Sequence, residues 1–190
     1  MEKSKINHLL LIGGSAGSLA VLLEVLPQVT LRSSVAIVII VHRKNTPDSL
    51  LSELLATRSG LSVKEIEDKE PLCGGEVYMA PADYHILFET NDTISLDFSE
   101  KVNFSRPSID VAFSSAAGVY KERLSCLLLS GANADGASGL EEVKAAGGSI
   151  LVQDPDTAET PYMPQQAIQR IPGVLVLKTS GMPAFINALS

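Results

Sequence analysis

The stretch SVAIVIIVH, residues 34 to 42, constrains the fold of this 190-residue chain more than any other segment. It is rich in β-branched residues, and no polar residue interrupts it between Ser34 and His42. Such a run is typical of a strand buried on both faces. Strands of this kind occur mainly in parallel sheets that helices cover on both sides, so the run favours an α/β fold.

Strand and helix patterns alternate along most of the chain. An apolar strand at His8 to Ile12 precedes a helix pattern at Leu19 to Leu26, which stops near Pro27. Leucine pairs at helical spacing follow in PDSLLSELLATRSG, where Gly60 is a suitable helix stop. From Ile109 the order is helix, strand, helix, strand, helix, strand and helix, in IDVAFSSAAGVY, LSCLLLSG, ASGLEEVKAAGG, SILVQD, the segment near Gln165 to Arg170, VLVL and a final short segment.

The middle of the chain departs from this alternation. GGEVYMAP, YHILFE and TISLDF are short strand candidates, and the turn signal TNDT between the last two predicts an antiparallel hairpin. We therefore predict a doubly wound, mostly parallel sheet with helices on both faces, decorated by one antiparallel hairpin. The length suits one domain with a sizeable core, so we expect residues 1–190 to form a single domain.

Composition excludes several classes of function. The chain carries a net charge of −7 and no basic cluster, which argues against a nucleic-acid partner. Its two cysteines have no metal-type or disulfide spacing, which fits a reducing cytoplasm.

The lysines near the N-terminus and the apolar run after them resemble a signal peptide, but paired glycines interrupt that run. No run reaches the roughly 18 apolar residues of a membrane span, so we expect no membrane insertion.

The stretch LLLIGGSAGSLAVL around Ser15 admits three interpretations: a helix cap, a nucleotide-binding loop or a catalytic nucleophile. Serine is among the best N-cap residues, so the cap is the ordinary reading. The nucleotide reading is weaker, because the glycine spacing does not match G-x-G-x-x-G and the second strand ends in His42 rather than an acidic residue. A P-loop motif and a metal-ligand cluster are also missing from the sequence, so we expect no cofactor and no metal.

Three predicted strands each deliver one reactive residue type to the same edge of the sheet. Ser15 follows the first strand, His42 the second, and Asp135 the strand in LSCLLLSGANA. In open parallel sheets, ligands bind beyond the carboxyl ends of the strands. A histidine can take the proton of a serine hydroxyl near neutral pH, and an aspartate can orient that histidine. The pattern predicts a Ser-His-Asp triad.

The segment GGSAG also fits the G-x-S-x-G pattern, in which glycines allow a tight turn that projects the serine. The free N–H groups of the helix that follows can stabilise developing negative charge. The order of the triad, Ser15, His42 and Asp135, differs from the serine, acid, histidine order of conventional α/β-hydrolases. Such a hydrolase is therefore disfavoured. Each residue also has a structural alternative. Ser15 and Asp135 are common cap or turn residues, and a lone histidine such as His42 after a buried strand is more often simply hydrogen-bonded.

At these residues the chain resembles the catalytic domain of the CheB-type chemotaxis protein-glutamate methylesterases. The resemblance is carried, in order along nearly the whole chain, by IGGSAGS, IIVHRKNTPDSLLSELLATRS, GEVYMAPADYHILFE, RPSIDVAFSSAA, LLLSGANADGASGLEEVKAAGG and QDPDTAETPYMPQQAI. It implies hydrolysis of γ-glutamyl methyl esters on the cytoplasmic helices of methyl-accepting chemoreceptors. Some members also deamidate receptor glutamines.

The resemblance assigns a role to each site residue. Ser15 maps to the nucleophile, His42 to the general base, Asp135 to the orienting acid, and Ala132 to an oxyanion-hole N–H where the family often has methionine. We expect the N–H of Ala16 to assist. Ser18 stands where the family usually has glycine, and the family's usual receiver domain is not expected in this chain.

Two alternatives to the esterase stay open. The first is a CheB-like module with weak or lost activity that binds a receptor or a separate signalling protein. The second is a nucleotide-binding domain, which the glycine spacing disfavours.

Overall fold

The computed structural model describes residues 5–43 and 50–190. Their largest element is a seven-stranded sheet in the order β10-β9-β8-β1-β2-β5-β3, and every pairing within it is parallel. A smaller antiparallel sheet has the order β4-β7-β6. The strands are β1 His8–Gly14, β2 Val35–Val41, β3 Val63–Glu65, β4 Glu70–Pro71, β5 Val77–Met79, β6 His85–Phe88, β7 Thr93–Asp97, β8 Leu124–Leu128, β9 Ser149–Gln153 and β10 Leu175–Leu177.

Helices pack on both faces of the large sheet. They are α1 Ser18–Val25, α2 Leu50–Ser59, α3 Ile109–Tyr120, α4 Ala137–Ala145, α5 Tyr162–Arg170 and α6 Met182–Ala188. The predicted doubly wound α/β architecture is confirmed. The first three residues of the predicted helix segment PDSLLSELLATRSG, residues 47–49, lie outside the described residues. No helix within the described ranges is long and apolar enough to cross a bilayer.

Side-chain alternation along the central strands divides the core into two layers. Leu9 and Leu11 of β1 point to a layer that includes α3, α4 and α5. Leu10 and Ile12 point to the opposite layer, with residues of α1, α2 and α6. Because both faces are buried, these strands read as continuous apolar runs rather than alternating ones.

The middle of the chain contains more strands than the sequence predicts. The hairpin of β6 and β7 is confirmed, with His85 opposite Asp97. The strand in GGEVYMAP joins the large parallel sheet as β5, between β2 and β3. The strands β3 and β4 were missed, because they have only three and two residues and no clear apolar pattern.

Candidate active site

Ser15 and His42 lie side by side at the carboxyl edge of the large sheet. The last paired residues of β1 and β2 are Gly14 and Val41, so Ser15 and His42 are the residues that follow on adjacent strands. The backbone N–H of His42 donates to the Gly14 carbonyl over 3.2 Å. On the other side, the N–H of Ser15 donates to the carbonyl of Ser130 over 2.9 Å. The central strands therefore fix the backbone of both residues.

Glycines shape the turn that carries Ser15. A Cβ on Gly14 would lie 2.5 Å from the Cβ of Ser18, and Gly17 has a φ of 82°, which L-residues with side chains rarely adopt. Gly17 occupies the N-cap position of α1, and the Ser18 hydroxyl donates to the Ser15 carbonyl over 2.6 Å. The interpretation of Ser15 as a helix cap is therefore wrong: the helix begins three residues later and has no side-chain cap.

His42 is bound directly to Asp135. The imidazole Nε2 lies 2.7 Å from the Asp135 Oδ2, and the Asp135 side chain is fully buried. Asp135 is in the loop between β8 and α4, where Asn133 accepts a hydrogen bond from its backbone N–H. Two of the three predicted site residues are thus in hydrogen-bond contact although 93 positions separate them.

Asp135 also receives hydrogen bonds from the start of α3 and the loop before it. The other donors are the Ile109 N–H at 2.7 Å, the Asn103 Nδ2 and the Ser108 hydroxyl at 2.9 Å each, and the Asp110 N–H at 3.0 Å. Burial alone would raise the pKa of Asp135. The hydrogen bonds from His42, Asn103 and the two N–H groups outweigh it, so the pKa lies below its usual value. The side chain is a carboxylate at neutral pH.

The second nitrogen of His42, Nδ1, faces the loop that carries Ser105. We call this open side of the site its mouth. Nδ1 lies 3.4 Å from the hydroxyl of Ser105. Within the described ranges, no group forms a hydrogen bond with the Ser15 hydroxyl. Catalytic hydrogen bonds are often long or absent in unliganded sites and form when substrate binds.

Ser130 joins the Ser15 turn to the loop that holds Ala132. Its hydroxyl donates to the Ala16 carbonyl over 2.7 Å and accepts from the Thr160 N–H over 2.9 Å. In the described part of the chain, no group accepts a hydrogen bond from the backbone N–H of Ala16 or of Ala132. Both donors are therefore available to a ligand.

A cavity of about 530 Å³ opens beside the histidine, a volume typical of ligand sites. Its lining residues are His42, Arg43, Asp83, Lys101, Phe104, Ser105 and Arg106. Within the described ranges, no group of three or more histidine, cysteine, aspartate or glutamate residues could hold a metal ion.

Comparison of the chain with known proteins points to one family. The CheB methylesterase family model matches residues 10–186. A putative protein-glutamate methylesterase/protein-glutamine glutaminase of Leptospira interrogans is 42% identical over 160 residues, covering 84% of this chain and 83% of its own length. The crystal structure of the Thermotoga maritima CheB methylesterase catalytic domain superposes with a TM-score of 0.90 at 30% identity, covering 97% of this chain and 99% of that one.

The chain belongs to the CheB methylesterase family. The resemblance seen in the sequence is thereby confirmed. Other relatives in the CheB family are longer. This chain matches 48% of a Methanosarcina mazei protein-glutamate methylesterase/protein-glutamine glutaminase, at 33% identity over 176 residues.

Sequence reasoning missed several residues that support the candidate site of this CheB family member. Asn103, Ser105 and Ser108 lie in the segment NFSRPSID, and Ser130 ends LLLS. A serine directly before the helix pattern of IDVAFSSAAGVY is a cap signal that could have marked Ser108. Asn103 and Ser105 carried no such signal, because they act from an irregular loop.

Proposed function

We propose that this chain is a serine esterase that hydrolyses γ-glutamyl methyl esters in a protein substrate and releases methanol. The observation that carries the proposal is the His42–Asp135 pair, which lies beside Ser15 at the sheet edge. The names of the Leptospira and Methanosarcina relatives, which include protein-glutamate methylesterase, support the same chemistry.

The proton arrangement follows from Asp135. Since Asp135 is ionised, it needs a donor, so the proton of neutral His42 is on Nε2. The lone pair of Nδ1 then faces the mouth of the site and acts as the base. In this proposal Asp135 holds the tautomer and stabilises the imidazolium that forms after proton transfer.

Catalysis proceeds in two acyl-transfer steps. His42 takes the hydroxyl proton of Ser15 while the serine oxygen attacks the ester carbonyl. The N–H groups of Ala16 and Ala132 donate to the resulting oxyanion, and His42 then protonates the departing methoxide. In the second step His42 deprotonates water, which attacks the acyl-enzyme. The serine is restored and a glutamate is released.

The same intermediate forms from a glutamine side chain, with ammonia as the leaving group. The relatives' names include protein-glutamine glutaminase, which supports this second activity. We propose the cytoplasmic helices of methyl-accepting chemoreceptors as the substrate. A chain that acts on these helices would be located in the cytoplasm.

The proposal is tested by methanol release from methylated receptor membranes. We expect Ser15→Ala to lower the rate by about 10⁴-fold or more, because the nucleophile is lost. Ser149→Ala is the matched control, since Ser149 is exposed at the opposite, amino-terminal edge of the sheet. Ser149→Ala should keep the wild-type rate.

Two results would contradict the proposal. Full methanol release by Ser15→Ala would exclude Ser15 as the nucleophile. A wild-type protein that binds receptor helices but releases no methanol would instead identify the chain as an interaction module.

A further inference from the structure

A second, very short hairpin runs from Val102 to Ser105, after β7, and lies beside the cavity next to His42. Its tip is strained. Val102 and Ser105 exchange two backbone hydrogen bonds, of 3.2 and 2.9 Å, around the two residues Asn103 and Phe104. Both central residues have positive φ, 52° and 61°. Tight hairpins with this backbone prefer asparagine followed by glycine, and a bulky side chain at positive φ is a genuine outlier. Phe104 occupies a position that glycine would fill without strain.

Packing within the protein does not explain Phe104, because its side chain is 98% exposed. The loop beneath it is held firmly. The Asn103 amide donates to Asp110 and to Asp135. The Arg106 guanidinium donates to Asp83 and lies 3.8 Å from the centre of the Phe98 ring. An exposed aromatic side chain on a fixed support is typical of residues that anchor a binding partner.

Among the described residues that line this cavity, Lys101 is the cation that is available to a ligand. Arg43 and Arg106 also line the cavity, but they are paired with Glu65 and Asp83. Within residues 5–43 and 50–190, no group forms a hydrogen bond or ion pair with Lys101. The cavity lining contains three cationic side chains, Arg43, Lys101 and Arg106, and one carboxylate, Asp83, in a chain whose net charge is −7.

We propose that Phe104 and Lys101 form a docking element for the substrate helix. Phe104 packs against an apolar side chain of the helix, and Lys101 pairs with a carboxylate that neighbours the methyl ester. This inference rests on the proposed function and specifies its substrate. Each completed demethylation leaves a glutamate, so a helix with several modifiable positions carries such carboxylates. Residues three or four positions apart on a helix are about 5–6 Å apart, which suits simultaneous contact.

The test uses three synthetic helical peptides that each carry one glutamyl methyl ester. The first has a glutamate and a leucine within one turn of the ester. The second replaces that glutamate with glutamine, and the third replaces that leucine with serine. The measured quantity is kcat/KM for methanol release at low ionic strength, compared as ratios between peptides.

We expect wild-type enzyme to prefer the first peptide to the second by about threefold, the size of an exposed ion pair. It should prefer the first to the third by about tenfold, through contact with the aromatic ring. Lys101→Gln should abolish only the glutamate preference, and Phe104→Gly only the leucine preference. Because glycine relieves the positive φ, Phe104→Gly should not lower Tm. The loss of preference would then not come from unfolding.

Matched controls lie at the other edge of the sheet or away from the cavity. Lys144→Gln, on the exposed last turn of α4, and Leu175→Ala, on β10, should keep both wild-type preferences. Equal kcat/KM for all three peptides in wild type, or preferences unchanged in Lys101→Gln and Phe104→Gly, would overturn the docking element and leave the esterase proposal standing. Ser15-dependent cleavage of p-nitrophenyl acetate with no methanol from any peptide would overturn both.

Discussion

At the scale of single residues, Asp135 connects His42 to the start of α3. It is fully buried and accepts five hydrogen bonds, from three side chains and two backbone N–H groups. The neighbouring Asp110 contrasts with it. Burial and the charge of Asp135 raise the pKa of Asp110, although hydrogen bonds from Gly139 and Asn103 oppose the rise. Asn103 donates to both carboxylates, so its amide keeps two acidic groups close together.

Asn103 is therefore expected to be a positioning residue that acts through Asp135. Asn103→Gly removes the amide without adding strain at a φ of 52°. A hydrogen bond to a charged group contributes about 1.5–3 kcal/mol, so we expect kcat for methanol release to fall about 10- to 100-fold. KM should change less than kcat, and Tm should fall by only a few degrees.

Asn103→Asp is the matched comparison, because aspartate tolerates the same backbone but adds a third carboxylate beside Asp110 and Asp135. It should lower kcat further than Asn103→Gly does. A change confined to KM in both variants would show that Asn103 serves only the hairpin tip.

At the scale of elements, the start of α3 and the loop after β8 stabilise each other. The Ser108 hydroxyl accepts from the Val111 N–H over a long 3.4 Å and donates to Asp135 over 2.9 Å. The N–H groups of Ile109 and Asp110 also donate to Asp135. A carboxylate from elsewhere in the chain thus completes the cap of the helix, where the helix dipole favours negative charge.

This contact predicts a pH-dependent contribution to stability. Because folding lowers the pKa of Asp135, its contribution is complete above the ordinary aspartate pKa of about 3.9 and is lost as pH falls through the lowered value. Asp135→Asn should lower the free energy of unfolding by about 2 kcal/mol at pH 7, since it leaves buried donors unpaired. The difference from wild type should narrow below about pH 4.

Urea unfolding at a series of pH values measures that difference. Asp156→Asn is the control, because Asp156 is exposed on the turn after β9 and should leave stability unchanged at every pH. A difference between wild type and Asp135→Asn that stays constant down to pH 2.5 would show that the charge of Asp135 does not support the fold.

At the scale of the whole molecule, the sheet explains what could be predicted from the sequence. Ser15, His42 and Asp135 each follow a strong apolar strand, and parallel strands bring their carboxyl ends to one edge. The contact of His42 with Asp135 was therefore foreseeable. Asn103 and Ser105 were not, because a hairpin tip with two positive φ angles is set by long-range contacts rather than by local pattern.

The close approach of Ser105 to His42 makes the identity of the nucleophile the decisive question. The hydroxyl of Ser105 lies 3.4 Å from Nδ1 of His42, the proposed base, so Ser105 is the rival candidate for the nucleophile. Labelling with a fluorophosphonate, followed by digestion after lysine and arginine and mass spectrometry, separates Ser15 from Ser105, because Lys101 and other basic residues divide the two segments. We predict one adduct, on the peptide that contains Ser15, and none in Ser15→Ala. An adduct on Ser105, or labelling that persists in Ser15→Ala, would contradict the assignment of Ser15 as the nucleophile.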